Sequence, residues 1–82
     1  MTNLEIIKNF ILGETKGKCN HLRIDNNKLI NYDTIIAYRL KENEIILNKT
    51  KYSRTTSKIQ NLLRDNAHIV AEYQEEEFYD FI

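Results

Sequence analysis

The chain has 82 residues, with twelve cations and twelve acids, so its net charge is zero. It contains no proline, one cysteine and 41% apolar residues. This length fits one domain, and the composition excludes a disordered chain and an intramolecular disulfide. No apolar run approaches the roughly 18 residues of a membrane-spanning helix, and no export signal is recognised at the N-terminus. We therefore expect a small protein of the cytoplasm that does not enter a membrane.

The zero net charge hides an asymmetry between the body of the chain and its C-terminus. Residues 1–71 carry twelve cations and seven acids, whereas residues 72–82 carry five acids and no cation. Segregation of this kind is typical of an interaction tail or of a segment that masks a basic surface. The alternative is a solvated acidic end that keeps the protein soluble.

The first predicted element is a helix from about Asn3 to Leu12. Thr2 and Glu5 have the spacing of a capping box, and apolar residues recur at helical spacing up to Gly13. Gly13 suits the left-handed position that follows a helix end. The next segment, ETKGKCN, has no periodicity and is predicted to be a loop.

From His21 onward the hydrophobic period changes to two, which predicts strands. We expect them at 22–25, 28–32, 34–40 and 44–48, with tight turns at Asn26-Asn27 and at 41–43. The short connections favour an antiparallel meander. A fifth strand is expected at 68–73, on an edge of the sheet.

A second helix is predicted to start between Arg54 and Lys58 and to end near Asn66. Ser57 and Gln60 have the spacing of a capping box, which is the best start signal here. The expected fold is therefore an α+β domain in which an antiparallel sheet of four or five strands is covered by two helices. The predicted core contains Ile7, Phe10, Ile36, Tyr38, Ile46, Ile59, Leu62 and Leu63.

The stretch 48–64, NKTKYSRTTSKIQNLLR, carries five cations and no acid, and its middle is a run of hydroxyl side chains. Hydroxyls, lysines and free backbone N–H groups at a helix N-terminus suit an anion. Cations interspersed with an aromatic residue are typical of a surface that contacts nucleic-acid phosphates, and a solvated helix face is the alternative. The candidate residues for binding nucleic acid or a partner are Lys49, Lys51, Tyr52, Ser53, Arg54, Thr55, Thr56, Ser57 and Lys58.

Residues 74–82 are interpreted as an acidic and aromatic tail of the single domain. Three adjacent glutamates indicate exposure, whereas the aromatic residues after them indicate a docking surface. The candidate partner-binding residues of the tail are Glu75, Glu76, Glu77, Phe78, Tyr79 and Phe81. Our hypothesis is that the glutamates compete with an external anion for the basic stretch. Removal of residues 74–82 should then strengthen nucleic-acid binding at low salt. If the tail binds a partner instead, the same deletion should abolish capture of that partner and leave the fold intact.

No catalytic, metal or cofactor site is predicted from the sequence. Cys19, His21 and His68 do not form the two spaced ligand pairs of a structural zinc site, and no base is placed beside the cysteine. The three contiguous glutamates lack an apolar enclosure that would suit acid catalysis. Neither a GxGxxG nor a GxxxxGK[ST] motif is present.

Three stretches resemble a family of small phage and mobile-element proteins. The family pattern is close to GxTxGKxxNLxI, NYxTxIA and LNxxKYSxTTSKxQN, and the matching stretches are 13–24, 31–37 and 47–61. The last of these is the most specific. The chain departs from the pattern at Cys19-Asn20-His21-Leu22.

The resemblance implies a small phage-type accessory protein that acts on host machinery, including inhibition of CRISPR and other defence systems. We therefore expect a non-enzymatic inhibitor or adaptor that binds a host protein or a ribonucleoprotein complex. The alternative is a small DNA- or RNA-binding protein that uses residues 49–64. The sequence leaves a homodimer open.

Overall fold

The computed structural model describes all 82 residues and contains three helices and one six-stranded sheet. The strands are β1 (Lys16–Cys19), β2 (Leu22–Asp25), β3 (Lys28–Asn31), β4 (Thr34–Lys41), β5 (Glu44–Asn48) and β6 (His68–Tyr73). The helices are α1 (Asn3–Leu12), α2 (Arg54–Asn66) and α3 (Glu75–Phe81). The α+β class is confirmed, but the sheet has one strand more, and the fold one helix more, than expected.

The six strands lie in the sheet in their order along the chain. Tight turns join β1 through β5, so these five strands are antiparallel. Between β5 and β6, α2 carries the chain back along the sheet, so β6 pairs with β5 in parallel. A purely antiparallel sheet was therefore the wrong expectation at this edge.

The sheet has helices on both faces. On one face, α1 and α2 pack over a cluster of fourteen buried residues that includes Ile45 and Leu47 of β5. Ile46 stands between these two and therefore points to the opposite face. Ile46 is buried on that face and does not belong to the cluster. Phe78 of α3 is also buried outside the cluster, and α3 contacts β5 and β6. The third helix thus supplies cover that the strands need on their second face.

Most of the predicted core is buried. The buried members are Ile7, Phe10, Ile36, Ile46, Ile59 and Leu63. Tyr38 and Leu62 are only half-buried. A β-bulge explains part of the difference, because Ile35 pairs with Ile30 and Ala37 with Leu29, which leaves Ile36 as the extra residue.

The segment predicted as a loop before His21 contains β1 instead. Its outward residues are Lys16 and Lys18, and its inward residues are Gly17 and Cys19. A Cβ atom on Gly17 would lie 3.2 Å from the Ile6 side chain, so α1 approaches the strand closely at this position. The alternation of polar and apolar residues in β1 is not visible in the sequence, because Gly17 occupies an inward position and has no side chain.

Helix α2 begins at Arg54 with Ser53 as its N-cap, so the predicted capping box of Ser57 and Gln60 is wrong. The Ser53 hydroxyl accepts a hydrogen bond from the Thr56 N–H at 3.2 Å. Gln60 is buried and donates from Nε2 to the carbonyls of Asn48 and Thr50, at 2.7 and 3.0 Å. Gln60 therefore joins the helix to the end of β5 and does not cap it.

Residues 75–81, interpreted as a tail, form a helix whose Phe78 is fully buried. The glutamates occupy its first turn, where negative charge is favoured by the helix dipole. The Thr50 hydroxyl accepts a hydrogen bond from the Glu75 N–H at 2.7 Å. Removal of this segment would expose the second face of the sheet, so we no longer expect a deletion to leave the fold intact.

Candidate functional site

The topology brings one end of the sheet together from distant parts of the chain. The 20–21 turn, the 32–33 turn and the C-terminal ends of β5 and β6 all lie there, because β5 and β6 run in the same direction. Helix α2 starts at this end, since it directly follows β5. The side chains of Asn31 and Thr56 hydrogen-bond at 3.2 Å and fix the helix start against β3.

The hydroxyls of the basic stretch differ in their surroundings. Thr56 is buried, and its hydroxyl lies 3.1 Å from that of Ser53 while it accepts the Asn31 amide. Thr55 is exposed and Ser57 half-buried. The hydroxyls of Ser53 and Thr56 thus position the helix start within the protein.

The connection from β5 to α2 is held by polar contacts to both neighbours. Asn48 is buried, and its amide donates to the Tyr52 hydroxyl at 2.9 Å and to the Ile35 carbonyl at 3.0 Å. Thr50 contacts the start of α3 through Gln74 and Glu75. Burial raises the pKa of the Tyr52 phenol, and the nearby Glu75 carboxylate acts in the same direction.

The cations of this stretch are exposed. Lys49, Lys51, Arg54 and Lys58 are all on the surface, and none of them forms a salt bridge. The fifth cation, Arg64, is paired with Glu72 at 2.6 Å. The structure therefore leaves four of the five predicted cations available to an external anion.

A second group of basic residues, which the sequence did not reveal, lies at the same end. Lys18 and Arg23 are directly opposed across β1 and β2, on the face away from α1. They line an open cavity of about 270 Å³ beside the 32–33 turn. Its lining residues are Lys18, Asn20, His21, Arg23, Tyr32 and Asp33. The sequence gives little indication of this cavity, because residues 18–23 and 32–33 become neighbours only through the register of the strands.

We call the six cations at this end the basic end of the sheet. Its members are Lys18, Arg23, Lys49, Lys51, Arg54 and Lys58. The opposite end carries the 26–27 and 42–43 turns and the start of β6, where the His68 N–H donates to the Asn43 carbonyl.

The candidate residues of the C-terminal segment fall into different environments. Phe78 is fully buried, so its ring packs within this chain and is not on the surface where a partner would bind. The Tyr79 hydroxyl accepts from the Ile35 N–H at 3.2 Å, and Phe81, which is 56% exposed, stacks on Tyr73. Glu76 and Glu77 are exposed and Glu75 is half-buried.

The cysteine and the histidines are not assembled into a common site. Cys19 is buried, and its thiol donates to the Met1 carbonyl at 2.8 Å. His21 is exposed and stacks on Tyr32, while His68 lies at the opposite end of the sheet. No group of three or more His, Cys, Asp or Glu side chains has the arrangement of a metal site.

Comparison of the chain with protein-family models, with curated proteins and with solved structures finds no match. None of its helices has the length and apolar character that a membrane crossing requires.

Proposed function

We propose that this protein is a small, non-enzymatic binding protein of the phage type that attaches to nucleic acid, or to a host complex of protein and nucleic acid, through the basic end of its sheet. One observation carries the proposal: six exposed cations without salt bridges, from separate segments, lie at one end of the sheet. They outnumber the four acids at the same end, which are Asp33 of the 32–33 turn and the three glutamates that begin α3. Two exposed tyrosines, Tyr32 and Tyr52, accompany the cations.

The proposal follows from the electrostatics of phosphate binding. Each cation that neutralises a phosphate releases condensed counterions, and this release supplies most of the sequence-independent affinity. Exposed tyrosine rings add base stacking, which tolerates any sequence. Cationic and tyrosine side chains at the end of a sheet therefore suit the binding of nucleic acid.

The family resemblance supports the role of an inhibitor or adaptor within this class. A basic surface that engages the nucleic acid of a defence complex, such as a CRISPR effector, would place the protein where it interferes with that complex. The partner is then a ribonucleoprotein, and the protein acts by occupying a surface.

A second candidate is a purely protein-directed inhibitor that uses α3. It is favoured by one observation, the exposure of Phe81 and Tyr79 beside the acidic first turn of that helix. Aromatic residues are frequent anchors of protein interfaces. The two candidates differ in their response to salt.

The test is a titration of single- and double-stranded oligonucleotides between about 50 and 200 mM salt. If all six cations contact a single strand, the slope of log K against log salt is about −4, and affinity falls about 300-fold over this range. The variant Lys51→Glu, Arg54→Glu, Lys58→Glu should lose at least half of that slope. Its matched control is Lys8→Glu, Lys28→Glu, Lys41→Glu, which makes the same charge change towards the opposite end of the sheet.

A pull-down from host lysate, with and without nuclease, separates the candidates. Capture that disappears with nuclease or with the basic-end variant supports the proposal. Capture of a protein that survives nuclease, tolerates salt and is lost in Phe81→Ala would replace it with the α3 candidate. Equal binding by the two charge-reversal variants would show that the basic end is not the contact surface.

A further inference from the structure

The 32–33 turn departs from the other tight turns of the sheet. Four turns join β1 through β5, and each contains one residue with a positive φ angle. In three of them that residue is asparagine, namely Asn20, Asn26 and Asn43, whereas in the β3–β4 turn it is Tyr32 with φ 56°. Asparagine adopts this conformation readily, but a bulky side chain there is an outlier. The backbone conformation of this turn therefore does not explain why the residue is a tyrosine.

The Tyr32 ring stacks face to face on the His21 ring, and we call this pair the platform. The two rings stack with centroids 4.3 Å apart and planes inclined by 15°. Tyr32 remains 55% exposed, so part of the platform faces solvent at the edge of the cavity. Exposed aromatic faces of this kind are the surfaces on which unpaired bases stack.

Two cations stand beside the platform in an arrangement that favours an anion. Lys18 and Arg23 are directly opposed across β1 and β2, and like charges at such positions repel one another. Nη1 of Arg23 donates to the Tyr32 carbonyl at 2.7 Å, which fixes the guanidinium against the backbone of the 32–33 turn. No carboxylate forms a salt bridge with either cation. An anion between them would relieve the repulsion, and the guanidinium keeps further donors for it.

We infer that this cavity binds one unpaired nucleotide of a single-stranded nucleic acid. The phosphate lies between Lys18 and Arg23, and the base stacks on the platform of Tyr32 and His21. Asp33 and Asn20, also in the lining, offer polar groups to the base edge. The inference rests on the proposed function, which it deepens by naming the strand state of the ligand and the site of base contact.

The position of the cavity allows the same strand to reach the start of α2. Tyr32 directly follows Asn31, whose side chain hydrogen-bonds to Thr56 in the first turn of that helix. Arg54 stands two residues before Thr56 and is exposed. A strand that leaves the cavity over the 32–33 turn therefore meets the cations of the basic stretch next.

The test uses fluorescence anisotropy with a single strand of about 12 nucleotides, a duplex of the same sequence and an abasic strand of the same length. Tyr32→Asn removes the ring and puts a residue suited to positive φ in its place, so its melting temperature should equal or exceed the parent's. It should bind the single strand about 5- to 150-fold more weakly, as the loss of one base stack predicts. Tyr32→Phe keeps the ring and is the matched control, with parental affinity.

The abasic strand provides the readout that a merely structural role of Tyr32 would not change. The parent should bind it more weakly than the normal strand by at least that factor, and in Tyr32→Asn the difference between the two strands should be smaller by the same factor. If Tyr32→Asn binds the normal strand like the parent, or if the parent binds duplex and single strand equally, the cavity does not hold a nucleotide although the proposed function stands. If the parent binds none of the probes, both the inference and the proposed function are wrong.

Discussion

Arg39 provides the sharpest stability prediction, because it is a buried cation with no acidic partner. It is 5% exposed, and none of the salt bridges includes it. Its guanidinium donates to the carbonyls of Phe10 and Glu14 at the end of α1. It also donates to the Asn26 carbonyl and to the Asn27 side chain in the β2–β3 turn. Arg39 thus ties the first helix to the sheet, and burial lowers the pKa of its guanidinium.

Replacement of Arg39 by methionine preserves much of the volume and removes four hydrogen bonds. Each carbonyl left buried without a donor costs about 1 to 3 kcal/mol, so loss of the donors to the carbonyls of Phe10, Glu14 and Asn26 should cost at least about 3 kcal/mol. A domain of this length has a free energy of unfolding of about 4 to 12 kcal/mol. We expect Arg39→Met to lower the melting temperature by at least about 12 °C.

Urea unfolding at equilibrium measures this change through the midpoint and the slope. Arg39→Lys should fall between the parent and Arg39→Met, because an ammonium cannot reproduce the planar fork of donors. Arg54→Met is the matched control, since Arg54 is exposed and unpaired, and it should stay within about 0.5 kcal/mol of the parent. If Arg39→Met also stays within that margin, the carbonyls have other donors and Arg39 does not hold α1 on the sheet.

Three further predictions concern the C-terminal helix and its neighbour. Phe78→Ala should lower the free energy of unfolding by about 3 to 5 kcal/mol, measured by urea unfolding; a change below about 1 kcal/mol would mean that α3 is a dispensable tail. Because the folded-state pKa of Tyr52 is raised, its neutral phenol stabilises the fold fully below about pH 10, and this contribution is lost as pH rises through the folded-state value. The stability difference between the parent and Tyr52→Phe should therefore shift towards the variant as pH rises above about 10, and a constant difference would contradict the assignment. Glu75→Gln, Glu76→Gln, Glu77→Gln should strengthen oligonucleotide binding at low salt by at most about fivefold per charge, with the gain fading as salt is raised; unchanged affinity would show that α3 does not screen the basic end.

Elements with strong local signals could be predicted from the sequence. Helix α1 has the expected bounds, because Thr2 and Glu5 form a complete capping box and Gly13 takes a left-handed conformation. The strands β2 through β5 lie close to their predicted positions, because alternation and asparagine turns are also local. The start of α2 at Arg54 lies within the predicted range, but the capping residue was wrong because Ser53 and Ser57 are both suitable caps. The choice between them depends on the tertiary contacts of Gln60 with the end of β5.

The third helix and the cavity depend on contacts that the sequence does not display. A run of glutamates indicates exposure, but here it begins a helix whose first N–H is accepted by Thr50 of a distant segment. The buried position of Arg39 depends on carbonyls from two other elements. The cavity likewise depends on the register that places Lys18 opposite Arg23. The sequence could identify the basic stretch, whereas the other two cations of the basic end, Lys18 and Arg23, could be placed there only from the topology.

In the proposed complex with nucleic acid, the basic stretch and the cavity have different roles. Ser53 and Thr56 bond to each other and to Asn31, so these hydroxyls serve to position the start of α2. The exposed cations therefore act mainly as point charges, which attract any phosphate backbone and respond strongly to salt. An oriented guanidinium and an aromatic platform are found only in the cavity beside Tyr32. If the protein distinguishes among nucleic acids, the basic stretch supplies the attraction and the 32–33 turn makes the distinction.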